Sequence, residues 1–352
     1  MNRIRSRLVL FLRSAAVFAV GGCCQPAAGG EVIRGAGASF PAPVYAAWSK
    51  DYERVSGVKV SYDAVGSGAG IERIRKREVE FGASDAPLAA SELAASGLLQ
   101  FPAVIGGVVP VINIGGIKPG QLRLNGALLA AIYLGRIRKW SDASIAALNP
   151  TLVLPNTNIT VVYRNDSSGS SLLWTDYLSH SSSAWKESIG ASLAPKWPIG
   201  VGGNGNEGVA SYVQRTRFAI GYVEYAFARK HRLSDVALLN RSGRFVHAGR
   251  DAFLAAALAA DWSDLAGVGQ LPTDLPGVES WPIAGTSFIL IAQPTEHREK
   301  TLAVLHFFDW ALRQGEPITR SLDYSPVPPV AVDQLPALWR TLRDDAGMPM
   351  WP

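Results

Sequence analysis

Three times along this chain an extended apolar run gives way to a turn of glycine, serine or aspartate, and then to a helical pattern. Val32-Ile33 enters residues 35–40, followed by a helix opened by Pro41 and Pro43. Val58, Val60 and Tyr62 alternate ahead of residues 66–70 and a charged helix over 71–77. Residues 159–163 precede the turn Arg164-Asn165-Asp166-Ser167-Ser168-Gly169-Ser170-Ser171, and a helix follows over 172–178. Strands and helices that alternate in this way bury both faces of a sheet by laying helices against it. The fold class is therefore α/β, with a mainly parallel sheet.

In open sheets of this class such turns stand at the carboxyl ends of the strands, where ligands bind. The first N–H groups of a helix lack intrahelical partners, and its end carries partial positive charge. Serine hydroxyls and a close-approaching glycine complete an anion cradle, and Arg164 adds a planar fork of donors. Taken alone, the third turn reads equally well as an ordinary N-cap, because Ser, Asp and Asn are what helix starts prefer. Three such turns meeting in a cleft would surround a small tetrahedral oxyanion. The loop Gly66-Ser67-Gly68-Ala69-Gly70 is not a dinucleotide fingerprint, since that pattern needs glycine at Ile71, and no Gly-Lys-Ser/Thr loop occurs. Asp85, in Gly82-Ala83-Ser84-Asp85-Ala86-Pro87, taken alone reads more readily as a cap of the next helix than as a ligand. Facing an anion it makes sense if that anion carries a proton. The five histidines (His180, His231, His247, His297, His306) have no metal-ligand spacing, and no metal or cofactor is expected.

At 352 residues, 48% hydrophobic and 18% charged, the chain is globular and long enough for two domains. Arg3, Arg5, Arg7 and Arg13 lie in a segment without acids, and setting them aside brings the net charge from +5 to about +1. No nucleic-acid footprint remains. Residues 1–22 read as an export signal: a basic start, a short apolar core, then small residues. Val20-Gly21-Gly22-Cys23 resembles a lipobox, which makes Cys23 the candidate lipidated first residue. Cleavage near Ala27 or Ala28 is the alternative. Cys23 and Cys24 are the only cysteines, so the folded body has no disulfide and no thiolate nucleophile.

Periodicity further predicts helices over 89–99, 125–134, 143–148, 208–215, 252–260, 300–313 and 332–342, and strands over 219–223 and 287–291. Residues 101–114 are apolar but interrupted by Gly106, Gly107 and Pro110, and are expected to form two strands with a crossing between domains. The Gly202-Gly203-Asn204-Gly205-Asn206 loop reads more readily as a structural turn than as a ligand contact.

Gly35-Ala36-Gly37-Ala38-Ser39-Phe40-Pro41, Phe81-Gly82-Ala83-Ser84-Asp85-Ala86-Pro87-Leu88, Gly106-Gly107-Val108-Val109 and Ile132-Tyr133-Leu134-Gly135 occur in that order. So do Lys196-Trp197-Pro198-Ile199-Gly200, Ala219-Ile220-Gly221-Tyr222-Val223-Glu224-Tyr225 and Phe307-Phe308-Asp309-Trp310. From about Val32 to the C-terminus the chain resembles the phosphate-binding proteins of bacterial ABC phosphate uptake. The resemblance implies a two-lobed periplasmic binding protein, with residues 31–110 plus 286–352 as lobe I and 111–285 as lobe II. Crossings near 108–114 and 283–287 would join the lobes, and phosphate would lie between them. Ser39, Phe40 and Ser67 would bind phosphate through hydroxyl and backbone N–H groups, and Asp85 would accept its proton. Arg164 would pair with the anion while Asp166 holds the guanidinium, and Ser168, Gly169 and Ser170 would close over it. Ser167 replaces a glycine of the family pattern, Ser170 a threonine, and Ser39 stands where threonine is common. The implied partners are a membrane permease and a cytoplasmic ATPase, with the protein itself monomeric and periplasmic, and Cys23 the candidate membrane anchor. A binder of another oxyanion, or a secreted phosphatase, is the competing expectation.

Overall fold

A computed structural model of the protein describes residues 32–263, 265, 273–295 and 297–352. Cys23 and the segment expected to be an export signal lie outside the described residues. The elements begin β1 (Val32–Gly37), α1 (Ala42–Ser56), β2 (Lys59–Ala64), α2 (Ser67–Arg75), β3 (Phe81–Ser84), α3 (Ala90–Ser96) and β4 (Leu98–Ile112). They continue β5 (Arg123–Leu124), α4 (Gly126–Tyr133), α5 (Ala143–Leu148), β6 (Thr160–Arg164), α6 (Gly169–Ser181), α7 (Ser183–Ser188), β7 (Val201–Gly203) and α8 (Gly205–Arg215). Next come β8 (Ala219–Glu224), α9 (Tyr225–Lys230), β9 (Ser234–Asp235), β10 (Ala237–Leu239), β11 (Phe245–Val246) and α10 (Arg250–Leu258). The chain closes with β12 (Ala284–Ala292), α11 (Arg298–Arg313), α12 (Glu316–Ser321), α13 (Pro329–Val332) and α14 (Leu335–Trp339).

One sheet runs β2-β1-β3-β12-β4-β8-β6-β7, with β9 beside β4, while β11, β10 and β5 form a small second sheet. The outer strands run parallel, as the alternating pattern predicts: β1 with β2 and β3, and β6 with β7 and β8. The joins through β12 and β4 are antiparallel. Strand β4 belongs to both halves of the sheet. Its first part pairs with β12, from Leu98↔Ala292 to Gly107↔Ala284. At Val108↔Glu224 it changes partner to β8 and stays with it to Ile112↔Ile220.

The expectation of two strands over 101–114 is thus wrong, because Gly106 and Gly107 are absorbed by neighbours and Pro110 pairs with Tyr222 within the strand. Pro102 falls beside the register shift between Ser287 and Phe288. A bulge is one of the few interior places where a strand tolerates proline. A Cβ on Gly106 would lie 2.8 Å from the Phe40 ring, and one on Gly107 2.1 Å from the Phe253 ring. These glycines let aromatic rings press onto the strand, so packing outweighs their poor strand propensity. The helix expected over 89–99 stops at Ser96, because Gly97 turns left-handed (φ +58°) and Leu98 opens β4. The helix expected over 332–342 is instead the short pair α13 and α14, each beginning at a proline-bearing first turn.

Each half has its own aromatic core. In the first, the rings of Tyr45, Phe81 and Phe101 lie 6.0, 5.2 and 5.7 Å from that of Phe308, all edge-on. In the second, Trp174 stacks on Tyr222 at 4.8 Å, with Tyr133 at 6.2 Å and Trp197 at 5.9 Å from the same tyrosine. Such pairs contribute about 0.5–1.5 kcal/mol each beyond burial. Among the described residues no helix is long and apolar enough to cross a membrane.

Candidate functional site

The first turn leaves β1 at Gly37, whose φ is +149° and whose Cβ would lie 2.0 Å from the Ala83 carbonyl oxygen. Only glycine permits β1 and β3 to approach so closely at this point. The turn places Ser39 and Phe40, both buried, at the entrance of α1. The second turn places the buried Ser67 as the first residue of α2, behind Gly66 at φ +95°. Asp85 follows β3 directly and is 2% exposed. It does not cap α3, which starts five residues later behind Ala89, so the cap reading fails.

The third turn leaves β6 at Arg164, whose guanidinium is locked from one side. Nε donates to Asp166 Oδ1 at 2.7 Å, and Nη2 donates to Asp166 Oδ2. Burial pushes the Asp166 carboxyl up, but the Arg164 guanidinium more than offsets this and holds it below the usual carboxylate range. The Arg164 backbone is fixed as well, its N–H donating to Tyr222 Oη at 3.2 Å and its carbonyl accepting from Trp197 Nε1 at 3.2 Å. Ser168 is the N-cap of α6, with Oγ accepting the Ser171 N–H at 3.2 Å. Gly169 and Ser170 open that helix.

These turns meet. The Gly169 N–H donates to Ser67 Oγ at 3.1 Å, and the Gly68 N–H to the Ser167 carbonyl at 3.1 Å. The Asp85 N–H also donates to Ser67 Oγ, at 3.2 Å. A hydroxyl accepts two hydrogen bonds and donates one. With both acceptor places of Ser67 filled by N–H groups, its proton is left to be donated elsewhere.

Buried polar atoms nearly always have partners, so those without one ask for an explanation. Asp85 Oδ1, Arg164 Nη1 and Ser170 Oγ are all fully buried and have no partner among the described residues. Burial raises the Asp85 carboxyl to about 7, with the nearby Ser287 hydroxyl and the Arg164 guanidinium only partly offsetting it. The arrangement thus offers one guanidinium edge, hydroxyl and helix-terminal N–H donors, and a single carboxyl that changes charge near neutral pH. This suits a small anion that can share one proton. Of the expected residues, Ser67, Asp85, Arg164, Asp166, Gly169 and Ser170 are tied to one another or left partnerless beside this meeting point, while Ser39 is bonded to Asn206. Phe40 and Ser168 stand in the same turns. Among the described residues no group of three or more His, Cys, Asp or Glu could hold a metal ion.

A family model described as a PBP superfamily domain matches residues 25–313. The phosphate-binding protein PstS of Haemophilus influenzae is 48% identical over 316 residues, covering 90% of this chain and 95% of that protein. This chain belongs to the PstS family. The PstS of Pasteurella multocida is 47% identical over 322 residues, covering 91% of this chain and 94% of its own. The solved phosphate-binding protein of Stenotrophomonas maltophilia shares the PstS-family fold, with a TM-score of 0.68 at 19% identity over 90% of this chain and 96% of that one.

The structure ties further residues to these turns. The loop over 202–206 is not a bystander turn. It forms a fourth strand–turn–helix unit, between β7 and α8, and that repetition was the available signal. The Gly205 N–H donates to Asp166 Oδ1 at 3.1 Å, and the wholly buried Asn206 bonds to Ser39. Glu224, also fully buried, ends β8 and accepts from the Ala226 N–H at 2.8 Å. Tyr324 Oη lies 2.8 Å from Glu224 Oε2 and 2.7 Å from the Phe40 carbonyl. Burial pushes the Glu224 carboxyl far above the usual range.

Proposed function

We propose that this protein binds inorganic phosphate between two lobes and delivers it to an ABC importer, through a membrane permease driven by a cytoplasmic ATPase. The observation that carries the reading is the partnerless trio of Asp85 Oδ1, Arg164 Nη1 and Ser170 Oγ, buried where helix α2 faces helix α6. The lobes would be residues 31–110 plus 286–352, and 111–285, with the anion held by Ser39, Phe40, Ser67, Asp85, Arg164, Ser168, Gly169 and Ser170. Closure would be a hinge motion that buries it. Membership of the PstS family supports transport over the competing oxyanion binders, as does the carboxyl at Asp85. We read the protein as a binder and not as a phosphatase. In support, the site hydroxyls make their hydrogen bonds to main-chain groups and to Asn206, and none bonds to a histidine that could activate it.

Calorimetric titration with phosphate tests the reading. Arg164→Ala removes the guanidinium at the anion and leaves hydroxyls and helix ends. Hydrogen bonds to charged groups contribute roughly 1.5–3 kcal/mol, so phosphate affinity should fall about tenfold to a hundredfold. Asp166→Asn should lose less, because it only loosens the guanidinium. Equal affinity of Arg164→Ala and the wild type would remove the arginine from the site.

Export follows from the same reading, and the lipobox-like Val20-Gly21-Gly22-Cys23 adds an anchor. Recovery in the membrane fraction is expected for the wild type and should be lost in Cys23→Ala. A mature chain shown by mass spectrometry to begin after Cys24 would rule the anchor out.

A further inference from the structure

Asn206 is wholly buried at the start of α8, and each polar atom of its side chain is committed. Its Oδ1 accepts the Glu224 N–H at 2.8 Å. Its Nδ2 donates to Ser39 Oγ at 3.0 Å, and its own N–H donates to the same oxygen at 3.3 Å. The orientation of the amide is forced. A backbone N–H can only donate, so the oxygen must face Glu224, and the NH2 group must then face Ser39. Both acceptor places of the Ser39 hydroxyl are therefore filled by Asn206, and its single proton is left to point elsewhere. The same pattern holds at Ser67, which receives the N–H groups of Asp85 and Gly169.

We propose that Asn206 is a positioning residue, which fixes the Ser39 hydroxyl as a pure donor toward the bound anion. Left to itself, a serine hydroxyl rotates and can turn a lone pair toward an anion, which repels it. With two N–H groups from Asn206 seated on its oxygen, Ser39 has no such alternative. Asn206 stands on the side of the sheet that carries Arg164, whereas Ser39 stands beside β1. The bond forms between residues 167 positions apart in sequence. Asn206 thus couples the arrival of one side of the site to the polarity of the other. This inference rests on the phosphate-binding reading and adds a residue whose contribution passes through Ser39.

A double-mutant cycle read by calorimetric titration with phosphate tests it. Asn206→Ala and Ser39→Ala are each expected to raise Kd about tenfold, the effect of one hydrogen bond to a charged group. The double variant should be no weaker than the worse single one, because without the hydroxyl there is nothing left to orient. Asn206→Asp keeps the acceptor for the Glu224 N–H, and thermal unfolding checks that it folds. It should lose more affinity in the Ser39 background than in Ser39→Ala, because its carboxylate draws the serine proton away from the anion. If Asn206 only held Glu224 in place, both substitutions would have equal effects in the two backgrounds. Such additivity, or wild-type affinity in Asn206→Ala, would overturn the proposal while leaving phosphate binding intact. A wild-type protein that does not bind phosphate would overturn both.

Discussion

Sulfate should bind this protein at pH 5.5 and about tenfold more weakly by pH 8, while phosphate binds across the range. The cause is Asp85, whose carboxyl burial raises to about 7. Below that value the group carries its own proton and can donate it to a bare oxyanion. Above it, a buried carboxylate faces the ligand. Phosphate brings a proton of its own, so one proton lies between carboxyl and anion in either case. Sulfate has none to bring, and its binding must take a proton from solution. By linkage its affinity should fall about tenfold for each pH unit above ~7 and level off below. A site that leaves a buried polar group unpaired can reject a ligand by roughly 10⁴–10⁵-fold. Arsenate, protonated like phosphate, should compete at every pH. In Asp85→Asn the amide donates regardless of pH, so sulfate binding should become flat and gain most at the alkaline end. A wild-type sulfate affinity that does not change with pH, or an Asn variant that still excludes sulfate, would show that Asp85 does not set selectivity.

Gly169→Ala should weaken phosphate binding a hundredfold or more and leave the ligand-free protein at least as stable as wild type. A Cβ at this position would lie 2.5 Å from Asp85 Cβ and 2.7 Å from Ser67 Oγ. Overpacking of this kind costs about 1–3 kcal/mol, and here it would also push the Gly169 N–H away from Ser67. Both neighbours belong to the other proposed lobe, so the clash exists only when the site is closed. Alanine in the first turn of α6 otherwise favours the helix over glycine, by up to about 1 kcal/mol. Gly37→Ala is the contrast. Its Cβ would meet the Ala83 carbonyl at 2.0 Å, within one half of the sheet and at φ +149°. That variant should lose stability with or without phosphate. Thermal unfolding and titration of the two variants separate the cases. If Gly169→Ala is destabilised like Gly37→Ala, or binds phosphate normally, the two sides of the site do not part.

What could be read in the sequence was what is decided within a few residues. Ser39, Ser67, Asp85 and Arg164 stand in short turns whose glycines and hydroxyls announce a helix start next to a strand end. Asn206 carried the same local mark, but its partner Ser39 is 167 positions away, and no local pattern names it. Glu224 and Tyr324, 100 positions apart, were invisible for the same reason. The misreading of β4 is the converse. Gly106, Gly107 and Pro110 argue locally for interruption, and only the rings of Phe40 and Phe253 explain why the strand goes on. Val55 shows the limit of periodicity alone, since it follows Val44, Trp48 and Tyr52 at helical spacing in α1 yet is 55% exposed, one turn beyond the last buried residue, Tyr52.

Strand β4 leaves one sheet partner at Gly107 and takes the next at Val108, so the junction contains no slack chain. If the two halves of the sheet move as lobes, its mechanics would be those of a leaf spring. A door on pins has no preferred angle, whereas a ribbon bonded along its length flexes about a resting shape and returns to it. Releasing the anion would then need no external push to restore the starting geometry, because the strain of flexing does so. The resting angle would be written into β4 itself, and stiffening or softening Gly106-Gly107 would tune how far and how fast the protein recoils after each delivery.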